Sequence, residues 1–169
     1  MTTAELLADA FGRIREVVHE AVSGLTPRQL AFRPDGTANS VAWLIWHLSR
    51  ITDDHLAAAM GVQQAWMSGG WARRFALPFA DEATGYGHRP GDVATVGVSS
   101  ADLLVGYHDA VCDQALQLVS GITDADLDRV VDDRWDPPVT LGVRLVSVLA
   151  DDLQHAGQAA YLRGLIRGG

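Results

Sequence analysis

From residue 141 to 166 the chain repeats apolar side chains at steps of four and three: Leu141, Leu145, Val148, Ala159, Leu162 and Ile166. Only Asp152 and His155 interrupt that stripe. Such a pattern predicts one long helix that buries a single face, and a helix of this length can bury it only against other helices or a sheet. Thr140 is placed to cap its start, and the helix is expected to run to about Arg167. An acid and an imidazole in the middle of a core-facing stripe need partners, because a polar group buried without one is costly.

The remaining chain supplies three more long helices and no strand-like alternation. Leu6, Leu7, Phe11, Ile14, Val17, Val18 and Val22 share one helix face over Thr3 to Ser23, closed by Gly24. Thr26-Pro27 opens a short turn of helix. Asn39 or Ser40 caps a second long helix that ends near Met60 at Gly61 and carries Trp43, Trp46 and His47. Ser99 with Asp102 resembles a capping box and starts a third, to about Ser120. Another short turn is expected at Thr123 to Leu127, and Trp135-Asp136-Pro137-Pro138 cannot continue a helix. The predicted architecture is all-α: a four-helix bundle with long connections and short extra helices, in one domain over residues 1–169.

Charge and composition remove several functions. A net charge of −8 with no basic cluster beyond Arg73-Arg74 argues against nucleic acid. No stretch approaches the roughly 18 apolar residues of a membrane span, and the first residues lack a basic segment followed by an apolar one. The expectation is a soluble cytoplasmic protein. The one cysteine, Cys112, allows neither an internal disulfide nor a cysteine-cluster zinc site, and reads as packing.

Asp151 and His155 lie four residues apart, hence about 40° around a helix and about 6 Å along it, and can point at one ion. With His47 from the second long helix they compose a site of two histidines and one carboxylate. The alternative is a buried histidine hydrogen-bonded to a neighbouring aspartate. Such a ligand set binds zinc, nickel or ferrous iron with positions left open for water or substrate. Asp152 is either an alternative ligand or a group that orients an imidazole.

Asp54 falls two turns after His47, able to line the same pocket but too far along for the same ion. His55 is rotated away from the site. His108 on the third helix is a candidate acid or base, or a satisfied packing histidine. His88 reads as loop chemistry without a geometric partner, and His19 as surface. Trp43 and Trp46 read as core, with Trp46 a candidate pocket wall, while Trp66 and Trp71 in the irregular connection are candidates to close over a ligand. Arg50, Arg73, Arg74 and Arg144 are unassigned cations. No Gly-x-Ser-x-Gly elbow accompanies the Ser, His and Asp residues, which excludes a hydrolase triad of that type.

Asn39-Ser40-Val41-Ala42-Trp43-Leu44-Ile45-Trp46-His47-Leu48 and Asp152-Leu153-Gln154-His155-Ala156-Gly157-Gln158 resemble two helix motifs of the DinB-like superfamily. These are small four-helix metal-binding proteins that include mycothiol-dependent maleylpyruvate isomerases and thiol transferases. The resemblance spans essentially the whole chain. It implies metal ligands at His47, His155 and Asp151, the last a departure, because the family usually has His or Glu there. It also implies a divalent metal, zinc first and nickel or iron as alternatives, with mycothiol as cosubstrate and a small-molecule substrate. Spacing alone equally allows metal-assisted hydrolysis. A metal-free small-molecule-binding or stress-response interaction module on the same fold is the contrasting reading, and a homodimer is compatible with each.

Overall fold

The computed structural model describes residues 1–168. Its elements in chain order are α1 (Thr3–Val22), α2 (Pro27–Leu30), α3 (Val41–Met60), α4 (Ala65–Ser68), α5 (Trp71–Phe75), α6 (Pro90–Thr95) and α7 (Ala101–Val119). A 3-10 turn (Asp124–Asp128), strands β1 (Val130–Asp132) and β2 (Val139–Thr140), and α8 (Leu141–Gly168) complete it. The long helices α1, α3, α7 and α8 form the bundle, with α3 packed on α7 and α8, and α1 on the same two.

Local chemistry accounts for most boundaries. Thr2 and Glu5 form a reciprocal capping box at α1, and Thr26 and Gln29 do the same at α2 with Pro27 in its first turn. The Ser40 hydroxyl accepts the Trp43 N–H at the start of α3, and Gly61 ends α3 in the left-handed conformation that glycine adopts without strain. Thr140 caps α8 by accepting the Val143 N–H at 3.3 Å.

Several expectations change. The Ser99–Asp102 box does not form; Ser100 is the cap of α7 and makes no side-chain cap bond. A small antiparallel hairpin stands where no strand is expected, pairing Val130 with Thr140 and Asp132 with Val139. Strands of three and two residues are too short to leave an alternation in the sequence. Trp66 and Trp71 are core residues rather than parts of an open wall: both are buried, with Trp66 against Tyr107 at 5.0 Å and Trp71 against Tyr107 at 5.7 Å between ring centroids. Leu6, on the apolar stripe of α1, is exposed.

The helix that matters most for the site is α3. Every residue from Val41 to Asp53 is buried, so it is the central rod of the bundle and its polar residues must find partners inside the protein. The long segment between α3 and α7 wraps back over it, which brings loop carbonyls within reach of α3 side chains.

Candidate metal centre

His47 in the middle of α3 faces Asp151 and His155, one turn apart on α8. One ligand atom from each lies within 4.8 Å of the others. The two imidazoles meet at 4.8 Å between centroids with planes 71° apart, and His155 Nε2 stands 3.5 Å from Asp151 Oδ1. Each ring is held through its other nitrogen. His47 Nδ1–H donates to the Thr84 carbonyl at 2.6 Å, and His155 Nδ1–H donates to Gln158 Oε1 at 3.1 Å. Both bonds select the tautomer whose Nε2 lone pair is free, which is the form that binds a metal. Asp151 Oδ2 is buried and has no hydrogen-bond partner among the described residues. Two oriented lone pairs and an orphaned carboxylate oxygen fit a divalent cation.

The electrostatics agree with that fit. Burial pushes the His47 pKa down against the opposing pull of the Thr84 carbonyl, favouring the neutral ligand form. For His155, burial opposes protonation, but its bonds to Asp151 and Gln158 outweigh that and raise its pKa. Burial likewise works against the Asp151 carboxylate, and the His155 contact prevails to leave it below its ordinary value. Asp151 and His155 thus each favour the charged form of the other, and a cation between them would meet the same carboxylate.

A strap from the α3–α7 connection fixes His47. Gly85 has φ of +94°, and a Cβ there would stand 2.7 Å from His47 Nδ1, so only glycine lets the backbone come this close. The strap is itself tied down by Arg50, one turn after His47 on the fully buried part of α3. Its Nε donates to the Ala83 carbonyl at 3.1 Å and its Nη1 to Gln64 Oε1 at 2.8 Å. Arg50 pairs with Asp53 at 3.6 Å, and Asp53 accepts the Ala65 and Trp66 N–H groups and the Tyr107 hydroxyl. The arginine is thus occupied by the strap and is not a free cation for a substrate.

Trp43, not Trp46, is the indole against His47 and His155. It stacks on His47 at 4.5 Å with planes 16° apart and meets His155 edge-on at 6.1 Å. Its Nε1–H donates to His88 Nδ1 at 3.2 Å, so the loop histidine does have a geometric partner. His88 also lies over Trp46 at 5.8 Å and against Phe79 at 4.5 Å. The i, i+4 spacing of Trp43 and His47 is a readable signal; nothing in the sequence marks the place of His88.

The other candidates fall elsewhere. Asp152 is 1% exposed and accepts the Thr52 hydroxyl at 2.7 Å on Oδ2, with no histidine bonded to it; burial pushes its pKa well up. Asp54 lines a cavity of about 280 Å³ with His55, Arg134, Arg144 and Asp132, which His47, Asp151 and His155 do not line. Arg144 is spent on Asp132 at 3.1 Å and His55 Nδ1 at 3.3 Å. Arg74 lies over the Trp71 ring at 3.7 Å.

His108 is buried in a closed relay. Cys112 S–H donates to its Nε2 at 3.3 Å, its Nδ1–H donates to Ser49 Oγ at 3.0 Å, and Ser49 donates to the Ile45 carbonyl at 2.8 Å. Burial holds the His108 pKa down to about 3 and pushes the Cys112 thiol up to about 12, so neither changes charge near neutrality. His19 pairs with Asp109 at 2.7 Å on the surface.

Comparison with known proteins adds to this geometry. A family profile described as Mycothiol-S-transferase matches residues 6–168. The crystal structure of a conserved protein from Enterococcus faecalis is similar to this one with a TM-score of 0.92 and 33% sequence identity, covering 100% of this chain and 99% of that one. No curated protein matches.

Proposed function

The chain belongs to the mycothiol-S-transferase family, within the DinB-like superfamily, and from that premise we propose that it is a metal-dependent thiol transferase with His47, Asp151 and His155 as ligands. The observation that carries this reading is that both imidazoles are anchored through Nδ1, leaving two Nε2 lone pairs beside the unpartnered Oδ2 of Asp151. Zinc is the expected ion, with nickel or iron compatible with the same donors.

A divalent cation bound there supplies Lewis acidity that favours the thiolate of a low-molecular-weight thiol at neutral pH. The chain does the rest. Thr84 and Gln158 hold the two Nδ1 protons away from the reacting thiol, Asp151 supplies the one negative charge of the ligand set, and the Trp43 ring excludes water from one face of His47. Mycothiol is the proposed cosubstrate and an electrophilic small molecule the acceptor. A sulfur–carbon bond forms, the leaving group departs with its electron pair, and the thiol proton passes to solvent. The protein acts as one domain over residues 1–169 in the cytoplasm.

The test is formation of the mycothiol conjugate of a soft electrophile such as monobromobimane, followed by mass spectrometry. Zinc-loaded protein is expected to accelerate it and chelator-treated protein is not. Equal rates with both would count against the proposal.

A further inference from the structure

The hairpin of β1 and β2 contributes nothing to the cluster of His47, Asp151 and His155, yet it is pinned at two points. At its root Arg129 donates to the Ala59 carbonyl of α3 at 3.1 Å, and Arg144 of α8 donates to Asp132 of β1, also at 3.1 Å. The hairpin, α3 and α8 together line the cavity of about 280 Å³, whose polar groups are Asp54, His55, Asp132, Asp133, Arg134 and Arg144. That volume is close to the lower limit for a small-molecule pocket, about 300 Å³.

The cavity lies two turns from the cluster along both helices. Asp54 follows His47 by seven residues on α3 and Arg144 precedes Asp151 by seven on α8, each step about 10 Å along the axis. Asp151 and His55 are near enough for each to shift the other's proton affinity, so the cavity and the cluster share one seam. A cysteine thiol joined by an amide to a sugar carries the ring from about 6 Å to about 11 Å beyond its sulfur. With the sulfur at the cluster, the ring reaches the cavity.

Pairing within the lining decides what it can hold. Buried Asp132 takes both guanidiniums, Arg134 at 2.8 and 2.9 Å and Arg144 at 3.1 Å, so neither arginine is left to neutralise an incoming anion. The three aspartates outnumber the two arginines. Arg144 can only donate, so His55 Nδ1 accepts from it at 3.3 Å and the ring proton sits on Nε2, which has no hydrogen-bond partner among the described residues. Asp54 spends Oδ1 on the Gln64 amide at 2.8 Å and makes no hydrogen bond through Oδ2, while exposed Asp133 makes none with its side chain. What remains open is therefore a neutral N–H donor beside carboxylate acceptors.

Resting on the thiol-transferase reading, we propose that this cavity is the subsite for the uncharged, hydroxyl-rich sugar head of the thiol cosubstrate. Asp54 and Asp133 accept from its hydroxyls and His55 Nε2–H donates to one. Hydroxyls suit such a lining because each donates once and accepts twice. An anionic head, such as the carboxylates of glutathione or the phosphates of coenzyme A, would be set against Asp54 and Asp133 with no unpaired cation to offset them. A cationic head would satisfy the carboxylates but leave His55 Nε2–H without an acceptor. The hairpin is then a specificity element: it discriminates among thiols by the charge of the part that does not react.

Amide-shift titration of the full chain with S-methyl mycothiol, to about 20 mM, tests the subsite. The blocked sulfur offers no thiolate, so binding reports the head alone, whatever ion the cluster holds. Shifts are expected in residues 54–59 and 131–134 and at Arg144, and S-methyl glutathione is expected to give none there. His55→Ala and Asp133→Ala are each expected to raise the Kd by about 10-fold, with an unchanged circular dichroism melt for Asp133→Ala, while Glu16→Ala on the outside of α1 leaves it unchanged. No shift with S-methyl mycothiol, shifts confined to other residues, equal binding of the glutathione derivative, or an unchanged Kd in both cavity variants would each overturn the inference. Bimane conjugation by the zinc-loaded protein judges the thiol-transferase reading separately, because it does not require the head to sit here.

Discussion

His47 Nδ1 and the Thr84 carbonyl oxygen lie 2.6 Å apart across 37 residues of chain. That single bond joins the central helix to the loop that wraps it and fixes which nitrogen of His47 is free. The approach depends on Gly85, where a side chain would collide with the His47 ring. Gly85→Ala is therefore expected to weaken zinc affinity by about 10- to 100-fold, the usual cost of losing the support behind a metal-bound histidine, with little change in helix content. Competition with a chromophoric chelator measures it; unchanged affinity would remove the strap from the account.

Arg50 holds the strap from beneath and is buried together with Asp53. Removing one partner of a buried pair strands the other, at a cost of about 3 to 5 kcal/mol. Arg50→Met is expected to destabilise the protein by that order in denaturant unfolding. Hydrogen exchange in residues 81–85 is expected to rise further than in α7.

At position 151 the carboxylate is shorter than the histidine or glutamate that the DinB-like family usually has. Asp151→His is expected to keep stoichiometric metal, because the α8 position already faces His47 and the imidazole reaches further. Asp151→Ala leaves two ligands and is expected to lose more than about 100-fold in affinity, a larger loss than that of a supporting residue. Isothermal titration with zinc separates the two, and equal affinities would show that position 151 is not a ligand.

His108 makes the fold acid-sensitive through a residue unrelated to the metal. In the unfolded chain it takes a proton near pH 6.5, but in the folded chain only near 3. Between those values the unfolded state binds more protons, so stability falls as pH falls, by up to about 1.4 kcal/mol per pH unit. His108→Gln removes this dependence. Between pH 7 and pH 5, in chelator, the wild type is expected to lose about 2 kcal/mol more unfolding free energy than the variant. Parallel losses would mean that the Ser49–His108–Cys112 relay opens and lets the ring protonate.

The long helices and the meeting of His47, Asp151 and His155 are legible in the residues themselves. The stripe from Leu141 to Ile166 specifies α8 because a 3.6-residue period survives in side-chain type, and the four-residue step from Asp151 to His155 puts both on one side of it. The pairing of α3 with α8 through His47 follows from the chemistry of buried imidazoles rather than from spacing. Contacts made by backbone leave no such mark: the Thr84 and Ala83 carbonyls have no residue type to announce them, and Gly85 looks like any loop glycine. Asp152 falls on the core stripe as expected, but its partner, Thr52, is on another helix 100 residues away. The hairpin of Val130–Asp132 and Val139–Thr140 is too short to leave a pattern.

The central claim is that His47, Asp151 and His155 hold a metal ion, and elemental mass spectrometry of untagged protein tests it most directly. Wild type and His155→Ala are purified identically and compared after incubation with zinc or nickel. About one metal per chain in the wild type and little in the variant is the expected result. No metal in either, even after incubation, would contradict the account and leave a metal-free binding or interaction module on this bundle.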